Sequence, residues 1–193
     1  MKLANLAFPI VAALAIVLAG CSPQDAPDKA TAAKPAQPYE AVASQGKGFT
    51  VGAMMGANAV YVLFDPQCPH CSRLWEASVP LHGKVKFVWI PVAFGSAKSV
   101  PQGAALLSAA NPAALMTEHE KSLLAGGGGI AASASVPSDI ELAIKKNTQL
   151  LNSLGVESVP YILARNIRTG QVVTHTGALT TPALAEFLGI NQP

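Results

Sequence analysis

"FDPQCPHCSRLWE", residues 64–76, carries two of the chain's three cysteines, Cys68 and Cys71, with Pro69 and His70 between them. Two thiols at this spacing can grip a metal, close a small disulfide or pass electrons. Their flanks begin to decide. Ahead of the pair, "AVYVLF" (residues 59–64) is an unbroken apolar run rich in β-formers, the pattern of a buried central strand, and Asp65-Pro66 ends it. Behind it, "PHCSRLWEASV" sets Leu74, Ala77 and Ser78 at helical spacing and stops before Pro80. The cysteines therefore stand on the turn between a strand and a helix, with Cys68 at the helix start.

Downstream, "KVKFVWIPVAF" (residues 84–94) reads as a second buried strand, parallel to the first if the crossover is right-handed. A helical stretch follows over about residues 98–154. Asn111-Pro112 starts one helix in it as N-cap and first-turn proline. Ser138 with Glu141 predicts a capping box for another, with Ile140, Ile144, Leu151 and Leu154 on one side and Gly155 as the stop. The glycines at 126–129 read as a loop between helices. "YILAR" and "QVVTH" flank "NIRTG" as a β-hairpin, and Thr181-Pro182 opens a last helix through Leu188. The order is β-α-β, a helical insertion at about 96–156, then β-β-α. That α/β order, with C-x-x-C on a βα turn, predicts a thioredoxin fold with the insertion between the second core strand and the C-terminal hairpin and helix.

The folded part is expected to span residues 48–193, one domain by length. Half of the residues are hydrophobic and 12% are charged, which fits a globular protein. A formal net charge of +2 supplies no strong basic field, so nucleic acid is a poor partner. Residues 1–20 read as a removable leader: Lys2 is the positive region and "LAFPIVAALAIVLAG" the apolar one, too short and too interrupted by Pro9 for a convincing membrane span. The leader ends in "LAGC" (residues 18–21), which looks like a bacterial lipobox and implies lipid on Cys21. An exported protein tethered to a membrane faces an oxidising compartment. Ser22 lacks the acidic retention signal known in enterobacteria, which favours the outer membrane over the inner. Residues 21–47 then read as a flexible Pro- and Ala-rich linker, roughly 70 Å if extended and nearer ~30 Å as a coil.

The position of the pair suggests its chemistry. A helix N-terminus presents unpaired N–H groups and the positive end of the macrodipole, so a thiolate at Cys68 is stabilised and becomes the candidate nucleophile. Cys71, one turn in and less exposed, suits the resolving role. Pro69 stiffens the first turn, and His70 adds a dipole or positive charge beside the thiolate. Stabilising the thiolate makes the Cys68–Cys71 disulfide a stronger oxidant. Structural zinc wants four ligands, and His82, His119 and His175 show no ligand spacing. Cu(I) on the two thiolates remains chemically open. A purely structural disulfide would remove little chain entropy from so small a ring. No cofactor and no metal site is assigned.

These residues resemble the Dsb family of bacterial periplasmic thiol-disulfide oxidoreductases, above all its DsbG/DsbC branch. "YVLFDPQCPHCSRLWE" is similar to the catalytic segment of that branch, and the similar order of segments covers about residues 48–190. "GVESVPYI" resembles the family's cis-proline loop, placing Val159 and Pro160 as the substrate-binding pair that faces the cysteines. The resemblance implies exchange with cysteine-containing exported proteins and a membrane partner that recycles the site. The isomerases of the branch carry an N-terminal dimerisation domain, whereas only the linker and a short stretch precede Phe49, which predicts a monomer. The branch usually has Thr before the cis-proline, and this chain has Val159. Pro-His between the cysteines and Val before the proline are features of the oxidase DsbA. Yet Val62 stands six residues before Cys68, where DsbA and thioredoxin keep a buried acid. Asp65 could accept a proton from Cys71, though ending the strand and capping the helix is the preferred reading. The expectation is an oxidant; the alternatives are an isomerase or reductase that protects single cysteines, and a Cu(I)-binding module.

Overall fold

The computed structural model describes residues 37–56, 58–131 and 135–191; expectations for residues 1–36, including lipid on Cys21, lie outside it. Five strands form one sheet: β1 (Phe49–Gly52), β2 (Ala59–Phe64), β3 (Lys86–Pro91), β4 (Tyr161–Arg165) and β5 (Val172–Thr176). Their order is β1-β3-β2-β4-β5. β2 and β3 run parallel, with Val62 opposite Trp89, and the other pairings are antiparallel. The described helices are α1 (Pro38–Gln45), α2 (Pro69–Ser78), α3 (Ser99–Ser108), α4 (Pro112–Leu124), α5 (Ser138–Ser153) and α6 (Thr181–Leu188), with a 3-10 turn at Val79–Leu81 after α2.

Alternation along the central strands builds two cores. Val60, Val62, Phe64, Phe87, Trp89, Ile162 and Ala164 face α2, α4 and α6. There Trp75 of α2 meets Trp89 edge-on at 5.1 Å, and Trp89 meets Phe64 at 5.5 Å, spacings that aromatic quadrupoles favour. On the other side, Leu63, Ile90, Tyr161 and Leu163 meet Leu150, Leu151 and Leu154 of α5 and its end, together with Val42 of α1. This is the thioredoxin fold with three helices inserted between β3 and β4.

Three local readings of the sequence need correction. The linker reading extends too far: residues 38–45 are helical, and Val42 is fully buried. Tyr39 Oη donates to the Ala59 carbonyl at 2.8 Å, and Arg165 pairs with Glu40 at 3.1 Å. Eight residues with one buried apolar side chain leave little periodicity to read. Phe49–Gly52 is an edge strand, too short to register as one, that pairs antiparallel with β3 and buries Phe49 and Val51. The Ser138/Glu141 capping box does not form, because Pro137 holds the cap position and Ser138 is already helical. Asn111, by contrast, accepts from the Ala114 N–H at 3.1 Å, and Gly155 takes φ +70° after α5.

Docking of α1 through Val42 is measurable. Val42→Ala removes two fully buried methyl groups and should lower unfolding stability by about 2 kcal/mol at constant m-value in urea. An unchanged midpoint would mean that α1 does not pack on the domain in solution.

Candidate active site

The carboxyl ends of β2 and β3 lie side by side, and α2 starts from the turn that follows β2. Asp65, 4% exposed, stands at that point. Its Oδ1 accepts from the Gln67 N–H and the Ser99 hydroxyl, each at 2.7 Å, and its Oδ2 accepts from the Phe94 N–H at 2.5 Å. The carboxylate therefore ties the turn to the β3–α3 loop and to the start of α3. It does not cap α2, whose N-cap is Cys68 in extended conformation with Pro69 at the first helical position. A capping role for Asp65 is thus replaced by a clasp between segments.

A second set of bonds holds the turn from the side of the insertion. Gln67 Nε2 donates to Gln102 Oε1 at 2.6 Å and to the Gly128 carbonyl at 3.0 Å. Gln102 Nε2 in turn donates to the carbonyls of Gly128 and Ile130, both at 2.9 Å. Fully buried His119 of α4 lies 2.7 Å from the Pro66 carbonyl through Nε2, and its Nδ1 accepts from the Ile130 N–H at 3.1 Å. Pro66 offers only an acceptor there and Ile130 only a donor, so the neutral Nε2–H tautomer is required. Burial pushes the His119 pKa down, in keeping with that form. A side chain at Gly129 (φ +87°) would have its Cβ 2.4 Å from His119 Cε1, so only glycine fits where this loop crosses the ring.

Cys68 is half-buried and Cys71 fully buried; both are free thiols. Cys68 Sγ lies 3.6 Å from the carbonyl oxygen of Val159, and the Val159-Pro160 bond is cis. The structure therefore brings Cys68, Cys71, Val159 and Pro160 together. The thiols are driven in opposite directions. Cys68 is lowered to about 6, chiefly by a hydrogen bond from Cys71; backbone N–H groups of Cys71 and His70 and the electrostatic influence of His70 add to this, against the effect of burial. Burial raises Cys71 well above an ordinary thiol, and its bond to Cys68 raises it further. His70 is exposed on the first turn, with Arg73 Nη1 3.2 Å from its Nδ1. Arg73 can only donate, so Nδ1 accepts in this geometry. The electrostatic influence of the His70 ring on Cys68 is the smallest of the causes, below that of its backbone N–H, and the partner thiol dominates.

One residue escaped the reading of the sequence altogether. Glu120 on α4 is 1% exposed, and its Oε2 accepts from the hydroxyl of Ser72, the neighbour of Cys71. Met116, His119 and Glu120 fall at helical spacing on the buried face of α4, a pattern in which a histidine and an acid on an apolar stripe could have been noticed. Among the described residues, no three His, Cys, Asp or Glu side chains gather as a metal would need. A groove beside Cys68 is lined by Phe94, Gly95, Ser96, Ser158 and Val159.

This fold and its paired thiols define a thioredoxin-fold protein with the C-x-x-C pair at the start of its first core helix. No protein-family model matches the chain. It is 31% identical to the thiol:disulfide interchange protein DsbG of Pseudomonas aeruginosa over 132 residues, 67% of this chain and 50% of that one. With the Escherichia coli protein of the same name it shares 30% over 107 residues, 53% of this chain and 42% of the other. The chain thus spans about half the length of the curated relatives it matches. A periplasmic thioredoxin-like protein from Salmonella enterica serovar Typhimurium superposes with a TM-score of 0.60 at 17% identity, covering 78% of this chain and 93% of that one. The chain has a thioredoxin fold and is similar in sequence to the Dsb protein DsbG over two thirds of its own length.

Three outcomes follow from the geometry. In the native dithiol protein, alkylation of Cys68 should titrate with a midpoint near pH 6, while Cys71 stays unreactive at neutral pH. Because the shift is downward, the stability Cys68 lends the reduced protein is complete above the pKa of an unfolded thiol, about 8.5. It is lost as pH falls through about 6, a slope that Cys68→Ser should abolish. Asp65→Ala leaves three donors without their acceptor and should cost about 2–4 kcal/mol in denaturant titrations, with the alkylation midpoint of Cys68 unmoved. A midpoint shifted by a full unit would mean that Asp65 acts on the thiol directly.

Proposed function

We propose that the protein is a thiol-disulfide oxidoreductase that oxidises pairs of cysteines in exported proteins. The observation that carries this reading is the opposed pair of thiols at one helix start, Cys68 lowered to about 6 and Cys71 buried and raised. A thiolate so stabilised is a good leaving group, and a stabilised dithiol form makes the disulfide oxidising. In the disulfide form, a substrate thiolate attacks Cys68 Sγ; the Cys68–Cys71 bond breaks and Cys71 leaves. A second substrate thiolate then attacks the substrate sulfur of the mixed disulfide, forming the substrate's disulfide and releasing Cys68 as thiolate. Two electrons pass from substrate to protein, and a membrane partner must take them away again. The backbone of the Val159-Pro160 loop, beside Cys68, is where an extended substrate chain would pair, with the groove at Phe94 receiving a flanking side chain.

The place of action in this proposal is the periplasm, with the protein held to a membrane through Cys21; the "LAGC" stretch supports the tether. A protective reductase or isomerase is the second reading, favoured by the similarity to DsbG.

The deciding measurements are a reduction potential and stopped-flow oxidation of a dithiol peptide. The potential should lie well above thioredoxin's, about −270 mV, and turnover should exceed that of free glutathione disulfide. A potential at or below that value would leave a reductase; no turnover, together with tight stoichiometric Cu(I) binding, would leave a metal-binding module. Cys71→Ala should trap mixed disulfides: partners with structural cysteine pairs support oxidation, and partners with single cysteines support protection.

A further inference from the structure

We propose that Glu120 holds the proton of Cys71, delivering it when the Cys68–Cys71 disulfide opens and receiving it when the disulfide closes. The proposal rests on the thiol-exchange reading and assigns a residue to a step that reading leaves open.

Glu120 reaches the site from the helical insertion, since α4 packs on α2. One carboxyl oxygen is held by Ser72, and Oε1, equally buried, finds no hydrogen-bond partner among the described residues. A buried acceptor left over in this way costs stability, and a leucine or methionine would fill the space at lower cost. The charges acting on it reinforce protonation: Cys68 and Glu76 from α2 and Asp65 from the end of β2 all favour the neutral acid. His119, its neighbour on α4, is committed to Pro66 and Ile130. The sequences of α3 and β1 contain no titratable group. Burial is the main cause that raises its pKa to about 8, so the carboxyl is mostly protonated at neutral pH. Glu120 also appears among the influences that raise Cys71.

The step balances as follows. A substrate thiolate attacks Cys68 Sγ, the disulfide breaks, and the proton of the Glu120 carboxyl passes to the departing sulfur of Cys71. Glu120 is left as carboxylate and recovers a proton from solvent. In the reverse direction the carboxylate takes the Cys71 proton, and the new thiolate closes on Cys68 and expels the substrate thiolate. The site is tuned by its own redox state. In the disulfide form Cys68 carries no charge, so Glu120 should release its proton at lower pH than in the dithiol form.

The test mixes the reduced full chain with glutathione disulfide and follows two phases by acid quench and mass spectrometry. The first is formation of the Cys68–glutathione mixed disulfide, which Cys71→Ser isolates; the second is its resolution by Cys71. Glu120→Gln keeps an acceptor for Ser72 and should slow the second phase roughly ten- to a hundredfold at neutral pH, with the first phase unchanged. It should also remove the inflection that Glu120 gives the second phase, which lies below pH 8 because Cys68 is uncharged in the mixed disulfide. Ser72→Ala should retain the inflection. Resolution by Glu120→Gln at the wild-type rate and pH profile would overturn the proposal, as would a uniform loss at all pH values with a lowered melting temperature. If Glu120→Gln does not fold, isotope-edited infrared titration of the wild-type carboxyl decides. A lower midpoint in the disulfide form supports the relay, and equal midpoints in both forms sink it. Failure of the wild-type chain to form any mixed disulfide would instead sink the thiol-exchange reading.

Discussion

Asp65 accepts hydrogen bonds from three segments that reach it from different directions: the turn at Gln67, the loop after β3 at Phe94 and the start of α3 at Ser99. Buried carboxylates are costly unless their lone pairs are filled, and here three donors fill them. Without that clasp the ends of β2 and β3 would carry separate loops, and the turn that launches α2 would be held from the side of the insertion alone. Cys68 stands on that turn as the N-cap of α2, within the reach of the helix dipole and its free N–H groups. A charged residue here therefore serves architecture, and the chemistry of the thiols is set by their own contacts.

Those contacts divide two chemically identical groups. Cys68 sits where backbone N–H groups and a partner thiol converge, with part of its surface open; Cys71 is one turn further in, at no measurable exposure. A separation of three residues on one helix is enough to make one thiol a ready anion and the other a reluctant one. The insertion adds to the division. It contributes a neutral imidazole that fixes the turn, a glutamine, Gln102, that bonds to Gln67 of the turn, and a carboxyl that holds the hydroxyl of the second sulfur's neighbour. Two of the three inserted helices, α3 and α4, and the loop after α4 thus supply groups that hold the site.

The central strands, the turn and the active-site helix were legible because continuous apolar runs, a helix-start proline and paired cysteines carry short-range signals. Val159-Pro160 was legible only through family resemblance; nothing in its own neighbours places it 91 residues away from its partner, Cys68. What escaped had a common cause. β1 and α1 are short, and they are held by long-range pairing with β3 and by single contacts such as Tyr39 to Ala59. Glu120 is charged and lies on a helix with other charged residues, so composition alone assigns it to solvent. Its burial is a property of how α4 meets α2, across 48 residues of chain between Ser72 and Glu120.

Helix α1 has a bearing on orientation. Tyr39, in its first turn, bonds to the carbonyl of Ala59, the first residue of β2, whereas Cys68 lies just past the other end of that strand. Six residues of strand put about 20 Å between the two ends. The polypeptide thus enters the folded body at the pole opposite the thiols. Contacts made by the start of α1 and contacts made by a partner at Cys68 therefore fall at opposite ends of β2.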